Sequence, residues 1–342
     1  MSKKTGILLL NLGTPDSPST ADVRTYLTEF LNDPRVIDIP AIARFLLVNA
    51  IIVPFRSSKS AKLYQHIWTE KGSPLLENSL NLKAELQQVL GDDYQVELGM
   101  RYRNPNLTVA LNNMRLSYVD KIIIIPLYPH YASSSSGSSV AKALEILSTW
   151  EVIPSVQFIG KFYEEPGYID SMVDVTNKYN LKDYDYFLFS YHGLPERHIQ
   201  KSSAHYGDNS CCFGNCCDSI KPSNAYCYRA ACFDTTRKMA KRLGLAEGTY
   251  STSFQSRLDD KWIKPYSDAV VAEKAKQGVK RMLVFSPAFV ADCLETIYEI
   301  GVEYEEIFKH NGGEHLQLVE SLNVNPVWVN TLKQMIERCA AI

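Results

Sequence analysis

Several things are scarce in this sequence. Neither charge predominates: 36 Lys and Arg stand against 38 Asp and Glu, a net of -2 over 342 residues. Nucleic-acid binders hold phosphates with a basic excess, so nucleic acid is not an expected partner. Long apolar runs are also few. Ile7-Leu8-Leu9-Leu10 is too short for an export-signal core and runs into Asn11 and Gly13 instead of a small-residue cleavage site. The stretch 36–55 is interrupted by Asp38, Pro40, Arg44 and Asn49. It therefore falls short of the about 20 apolar residues that a spanning helix needs. The expected compartment is the cytoplasm, where thiols stay reduced. Low complexity is confined to residues 133–139, a Ser/Gly loop that is either a plain turn or a cradle of N–H groups for an anion.

Cysteine is the exception to this plainness. Six of the eight (Cys211, Cys212, Cys216, Cys217, Cys227 and Cys232) lie within one 22-residue window. Reduced thiols so clustered favour a metal or redox role over disulfides. The spacings Cys212-x3-Cys216 and Cys227-x4-Cys232 lack the C-x2-C knuckle of common zinc sites, which leans toward an iron–sulfur cluster. Zinc and free thiols remain the alternatives.

The rest reads as an α/β protein. At roughly 150 residues per domain the length suits two domains, or one large one. Apolar runs of four to eight residues at 6–12, 95–100, 121–127, 186–191, 250–255 and 281–286 lack polar alternation, as strands buried on both faces do. Helical periodicity fills 78–90, 140–150 and 232–243, so a doubly wound parallel architecture is expected. Its order is duplicated: 7–12 before Gly13 matches 187–192 before Gly193, strands closing on Arg101 and Arg257 follow, and 121–126 matches 280–287. Two similar lobes with a ligand cleft at the strand ends are expected.

His192 stands where a buried strand stops and can exchange protons near neutral pH. A hydrogen-bonded structural histidine is the other reading. Asp292, Glu295, Glu299, Glu303 and Glu306 follow the strand at 281–286. At about 100° per residue they fall within about 80° of one another on a helix, opposite Leu294, Ile297, Ile300, Tyr304, Ile307 and Phe308. Such a column suits a hard cation or a proton relay, or else it is the solvated face of an amphipathic helix. Its start at a strand end favours the first reading.

Together these residues resemble the ferrochelatase family, which inserts Fe(II) into porphyrin. The resemblance rests on Leu8-Leu9-Leu10-Asn11-Leu12-Gly13-Thr14-Pro15, Gly99-Met100-Arg101-Tyr102, Pro126-Leu127-Tyr128-Pro129, Ser190-Tyr191-His192-Gly193-Leu194-Pro195, Phe254-Gln255-Ser256-Arg257, Trp262 and Asp292-Cys293-Leu294-Glu295-Thr296. It implies a chelatase fold: two Rossmann-like lobes with parallel sheets and a porphyrin cleft between them, Leu12 and His192 facing opposite sides of the macrocycle. The first lobe is expected at 1–160 with an apolar lip at 36–59, the second at 161–325 with a Cys-rich insert at 201–232, and a C-terminal helix at 326–342. His192 and Glu295 are implied as the catalytic pair and as contacts of the substrate iron. Asp292, Glu299 and Glu303 would relay protons or hydrated metal.

Leu12, Arg56, Arg101, Tyr102 and Trp262 are expected at the porphyrin, Arg56 and Arg101 (with Lys59) as partners of its carboxylates and Trp262 by stacking. Relatives that metalate coproporphyrin carry a tyrosine where this chain has Leu12, so protoporphyrin IX is the expected substrate and protoheme the product. The C-terminal cysteine group that holds a [2Fe-2S] cluster in the animal enzymes is absent, with only Cys339 there. A cluster in this chain would draw on Cys212, Cys216 and Cys227 with Cys217 or Cys232. The resemblance also implies peripheral contact of the lip with the inner membrane face. The rival readings are a chelatase of coproporphyrin III or sirohydrochlorin, and a non-catalytic porphyrin- or heme-binding redox sensor.

Overall fold

The apolar runs do form strands buried on both faces. The computed structural model describes residues 4–207 and 211–342. Eight strands are β1 (Thr5–Gly13), β2 (Tyr94–Tyr102), β3 (Lys121–Pro126), β4 (Ser155–Phe158), β5 (Tyr186–His192), β6 (Tyr250–Gln255), β7 (Arg281–Phe285) and β8 (His315–Leu318). Ile7 to Leu10, Ile122 to Ile125 and Met282 to Phe285 are fully buried. Helices on both faces of a parallel sheet require this, since neither face meets water.

The chain divides into two compact units, one of residues 4–128, 132–161 and 328–342, the other of 129–131 and 162–327. Each contains a four-stranded, wholly parallel sheet, ordered β2-β1-β3-β4 in the first and β6-β5-β7-β8 in the second. The duplication extends to details of the backbone. Met100 N–H donates to Pro105 O at 2.7 Å after β2, and Phe254 N–H to Pro265 O at 2.8 Å after β6. Gly13 ends β1 and Gly193 follows β5, and both sit too close to a neighbour for a side chain. A Cβ would lie 1.9 Å from Tyr102 O at Gly13, where φ is +111°, and 2.7 Å from Gln255 O at Gly193.

In the first unit Leu8, Leu10, Ile122 and Ile124 pack against Leu107, Leu111, Met114, Ala143 and Leu147. In the second, Leu188, Met282 and Val284 pack against Val271, Ile300, Tyr304 and Phe308. The helix Pro326–Ala340 belongs to the first unit from Trp328 onward. It buries Trp328, Val329, Leu332, Met335 and Ile336, and Lys121 Nζ donates to Ala340 O at 2.9 Å.

The lip departs from expectation. Residues 41–67 form one continuous helix, α-helical over Ala41–Leu46, π-helical over Leu47–Ile52 and α-helical again over Val53–Ile67. Asp38 and Pro40 precede it, so two of the four interruptions fall outside, and by length and composition alone the helix could cross a membrane. Ile42, Phe45, Leu46, Ile51 and Phe55 are exposed, Phe55 at 82%. Isolated apolar side chains on a surface are ordinary, but five along one helix form a patch.

Candidate functional site

In an open parallel sheet, ligands bind beyond the carboxyl ends of the strands where the strand order reverses. In the second unit this point lies between β5, which pairs with β6 on one side, and β7 on the other. His192 ends β5. Its Nδ1 lies 2.6 Å from Gly193 O, and a carbonyl only accepts, so Nδ1 carries the proton. In the neutral ring Nε2 then keeps its lone pair, the form a proton acceptor needs. The Trp262 and Phe289 rings flank the imidazole at 6.3 and 6.4 Å between centroids. Tyr228 Oη donates to His192 O at 2.9 Å.

The acidic segment follows β7, but with a different pitch from the one expected. Glu295–Tyr304 is a π-helix, whose i→i+5 bonds change which residues share a face. Glu299 is an anchor. Its Oε1 accepts from Ser256 N (2.7 Å) and Tyr304 Oη (3.0 Å), its Oε2 from Ser256 Oγ (2.5 Å) and Gln255 Nε2 (3.3 Å). Burial and the Glu299 charge push the Tyr304 phenol well above its ordinary value.

Asp292 is engaged as well, accepting from Asn323 Nδ2 at 2.8 Å, Thr296 Oγ1 at 3.0 Å and Ser321 N at 3.2 Å. Glu303 is exposed. Glu295 is half-buried, and the Cys293 thiol beside it is raised well above its usual range by burial and by that carboxylate. Of the expected relay, Asp292 and Glu299 accept hydrogen bonds from neighbouring residues and Glu303 is exposed.

Gln255 connects the parts. It is 1% exposed and pairs in register with His192; its Oε1 accepts from Ser190 Oγ at 2.8 Å and its Nε2 donates to Glu295 O at 3.1 Å. Gln255 and Ser256 stand within the Phe254-Gln255-Ser256-Arg257 motif, yet no role for them was legible in the chain. A glutamine ending an otherwise buried strand was the available signal.

In the first unit Leu12 is half-buried at the end of β1. Arg101 and Tyr102 are both engaged by Asp33. Arg101 donates to Asp33 Oδ2 at 2.5 Å and to Ser138 Oγ at 2.7 Å, and Tyr102, 2% exposed, donates to Asp33 at 2.9 Å. Both complete a buried polar network, to which Ser138 of the serine loop also belongs. Arg56 and Lys59 lie exposed on the lip helix.

Burial works to raise the Asp33 carboxyl, but Ser138, the Arg35 N–H, Arg101 and Tyr102 together hold it below its ordinary 3.8. A depressed carboxylate stabilises the fold above that value and ceases to as pH falls through its lower folded pKa. Asp33→Asn is therefore expected to cost about 2 kcal/mol at neutral pH. In thermal melts the deficit should shrink below the ordinary 3.8, and a deficit unchanged down to acid unfolding would refute this assignment.

Four thiols gather in the second unit. Cys211 hydrogen-bonds Cys216, Cys217 hydrogen-bonds Cys227, and the Cys216 and Cys217 sulfurs are 3.9 Å apart. The bond to Cys227 and burial push the Cys217 thiol up, and the same bond pulls Cys227 down. The thiols that gather differ from the expected candidates in two places. Cys212 is exposed and turned to Asn215 at 3.3 Å, and Cys232 is wholly buried beside Tyr228. Cys211 joins the group instead. Among the described residues no three His, Cys, Asp or Glu side chains converge to hold a metal ion; residues 208–210 of the insert lie outside that description.

Two parallel sheets of the same order, with a histidine and a carboxylate at the reversal point of one, place the chain in the chelatase class of α/β proteins. Its fold is similar to that of the sirohydrochlorin chelatase SirB from Bacillus subtilis subspecies spizizenii in complex with cobalt, at a TM-score of 0.54 and 10% identity over 98% of this chain and 96% of that one. SirB from Bacillus subtilis with Fe3+ gives 0.55 and 9% over 99% and 96%. Within that class the chain belongs to the ferrochelatase family. The family's sequence model, described as Ferrochelatase, matches residues 4–340. The ferrochelatase of Coxiella burnetii (strain CbuK_Q154) is 45% identical over 340 residues, 98% of this chain and 94% of the relative. That of Legionella pneumophila (strain Lens) is 46% identical over 332 residues, 97% of this chain and 98% of the relative.

Proposed function

We propose that this chain inserts ferrous iron into protoporphyrin IX, a lyase-type reaction that releases two pyrrole protons and forms protoheme, the last step of heme biosynthesis. The observation that carries it is the paired strand end: His192 with Nδ1 protonated and Nε2 open, tied through Gln255 to the backbone of Glu295. Metalation needs a base for each pyrrole proton and a polar path for a dication. His192 Nε2 takes a proton from the ring, and the Glu295 carboxylate takes the other or receives the substrate iron. Trp262 supplies a flat face for the macrocycle. Leu12, apolar and ending β1, supports protoporphyrin over coproporphyrin.

Anaerobic incubation with Fe(II) and protoporphyrin IX, coproporphyrin III or sirohydrochlorin, followed by visible spectra, tests this reading. Metalation of protoporphyrin is expected. Failure with all three would leave a porphyrin-binding protein, and preference for another ring would move the substrate.

The thiol group is proposed to draw together around a [2Fe-2S] cluster, which would supply thiolate-bound iron outside the metalation site; without it the sulfurs stand as pairs, no three of them converging among the described residues. Two observations support it: the four thiols fall into two pairs, and the buried Arg229 guanidinium, 3.0 Å from Cys217 Sγ, places a positive charge that opposes the upward push of burial on that thiol. Cys211, Cys216, Cys217 and Cys227 would be its ligands. Anaerobically purified protein should absorb in the visible with equal iron and sulfide; a colourless, zinc-loaded protein would refute it.

The lip helix is proposed to rest on an anionic lipid surface, its exposed apolar residues flanked by exposed Arg56, Lys59 and Lys62. Co-sedimentation with anionic vesicles should be lost in Phe45→Asp. Binding unchanged by that substitution would rule the contact out.

A further inference from the structure

The end of the cysteine window is also the start of a helix, Tyr228–Leu243, whose first side chains point three ways. Cys227 turns to Cys217. Tyr228 donates to the backbone carbonyl of His192 at 2.9 Å. Arg229 donates to Cys217 Sγ at 3.0 Å and, through Nε and Nη2, to Lys264 O at 3.3 and 3.1 Å. Lys264 lies two residues past Trp262, and Ile263 N–H bonds to Leu194 O at 2.9 Å. One helical turn therefore grips the sulfurs, the catalytic strand end and the loop bearing Trp262.

There is little slack in this grip. Cys227, Tyr228 and Arg229 are each less than a tenth exposed. The Tyr228 ring packs edge-on to His130, and the Arg229 guanidinium lies 4.6 Å over Phe233. Close-packed interiors transmit displacements instead of absorbing them. A change of charge or position at Cys217 or Cys227 has to be taken up by Arg229 and Tyr228, and so by the two loops they hold.

We propose that Tyr228 and Arg229 are positioning residues through which the thiol pocket acts on the metalation site. Occupancy of the sulfurs by a thiophilic metal sets where Trp262 and the His192 backbone are held. The inference deepens the ferrochelatase reading and depends on it for its kinetic consequence, whereas the linkage itself is a property of the fold. Tyr228→Phe removes one hydroxyl and keeps the ring. It should lower kcat about tenfold or more, since small misplacements near reacting groups are costly, and leave the protoporphyrin Kd unchanged.

The direct test uses cadmium(II) on the reduced, metal-free full chain. Each Cd–S bond forms as a thiol gives its proton to buffer, and thiolate-to-cadmium absorption reports occupancy. Cadmium should shift the tryptophan emission of the wild type, and Trp262→Phe should abolish that shift. In Arg229→Met cadmium should still bind while the shift is lost; Arg229→Lys, which keeps the charge but not the fork, should retain only part of it.

Cadmium absorption without any movement of Trp262 emission would overturn the linkage, as would failure of cadmium to bind. Wild-type kcat in Tyr228→Phe would remove the positioning role of that hydroxyl. If the wild type metalates no porphyrin, the ferrochelatase reading fails while the emission measurement still decides the linkage.

Discussion

His192→Ala should bind protoporphyrin IX as the wild type does and metalate it at least about a hundredfold more slowly. General bases contribute roughly 10²–10⁴ to rate, and here the Nδ1 bond to Gly193 O leaves Nε2 available for the proposed task. The variant should fold, because the bonds that fasten the strand end pass through backbone. Tyr228 holds the carbonyl of residue 192, and Gly193 N–H donates to Gln255 O at 2.8 Å. Porphyrin binding followed by fluorescence and iron insertion followed by visible absorption separate the two properties. Wild-type turnover would remove His192 from the chemistry, and loss of binding together with activity would make it a structural residue.

The second large effect distinguishes two glutamates four positions apart. Glu295→Gln should lose about a hundredfold or more in insertion rate and melt close to the wild type, because the bond its carboxylate accepts from the Cys293 thiol can pass to the amide oxygen, and Gln255 holds the backbone carbonyl. Glu299→Gln should instead lower the melting point first. Either orientation of the new amide turns an N–H₂ toward an N–H donor, that of Ser256 or that of Gln255. Hydroxyls can rotate to accept, but these N–H groups cannot, and one unsatisfied buried group costs about 1–3 kcal/mol. Thermal melts beside anaerobic rates decide the matter. If Glu299→Gln melts normally yet is as slow as Glu295→Gln, Glu299 belongs to the proton path and is no mere anchor.

What could be read from the chain follows from how local each signal is. The central strands were legible because burial on both faces leaves an apolar run that needs no partner to be recognised, as at Ile122 to Ile125. The edge strands were not, since Ser155–Phe158 and His315–Leu318 are four residues long and mostly half-exposed, with no alternation to count. His192 and Glu295 were visible through their motifs. The π-helical pitch was not, because the same residues satisfy an α-helical pattern and only the fold selects between them. Asp33 and Arg101 are 68 positions apart, and only the fold shows that the arginine already has a carboxylate. Tyr228 and Gln255 act through backbone carbonyls, a kind of contact that leaves no compositional trace.

The chain order of the two units has a bearing on synthesis. Residues 162–327 form a sheet with its own core, whereas the first unit lacks the helix that buries Trp328, Leu332 and Ile336 until the segment beyond 327 has been made. On the ribosome the later unit can close while the earlier one waits, its apolar flank uncovered, for its last helix. Truncating that helix would therefore injure the half of the protein that was translated first.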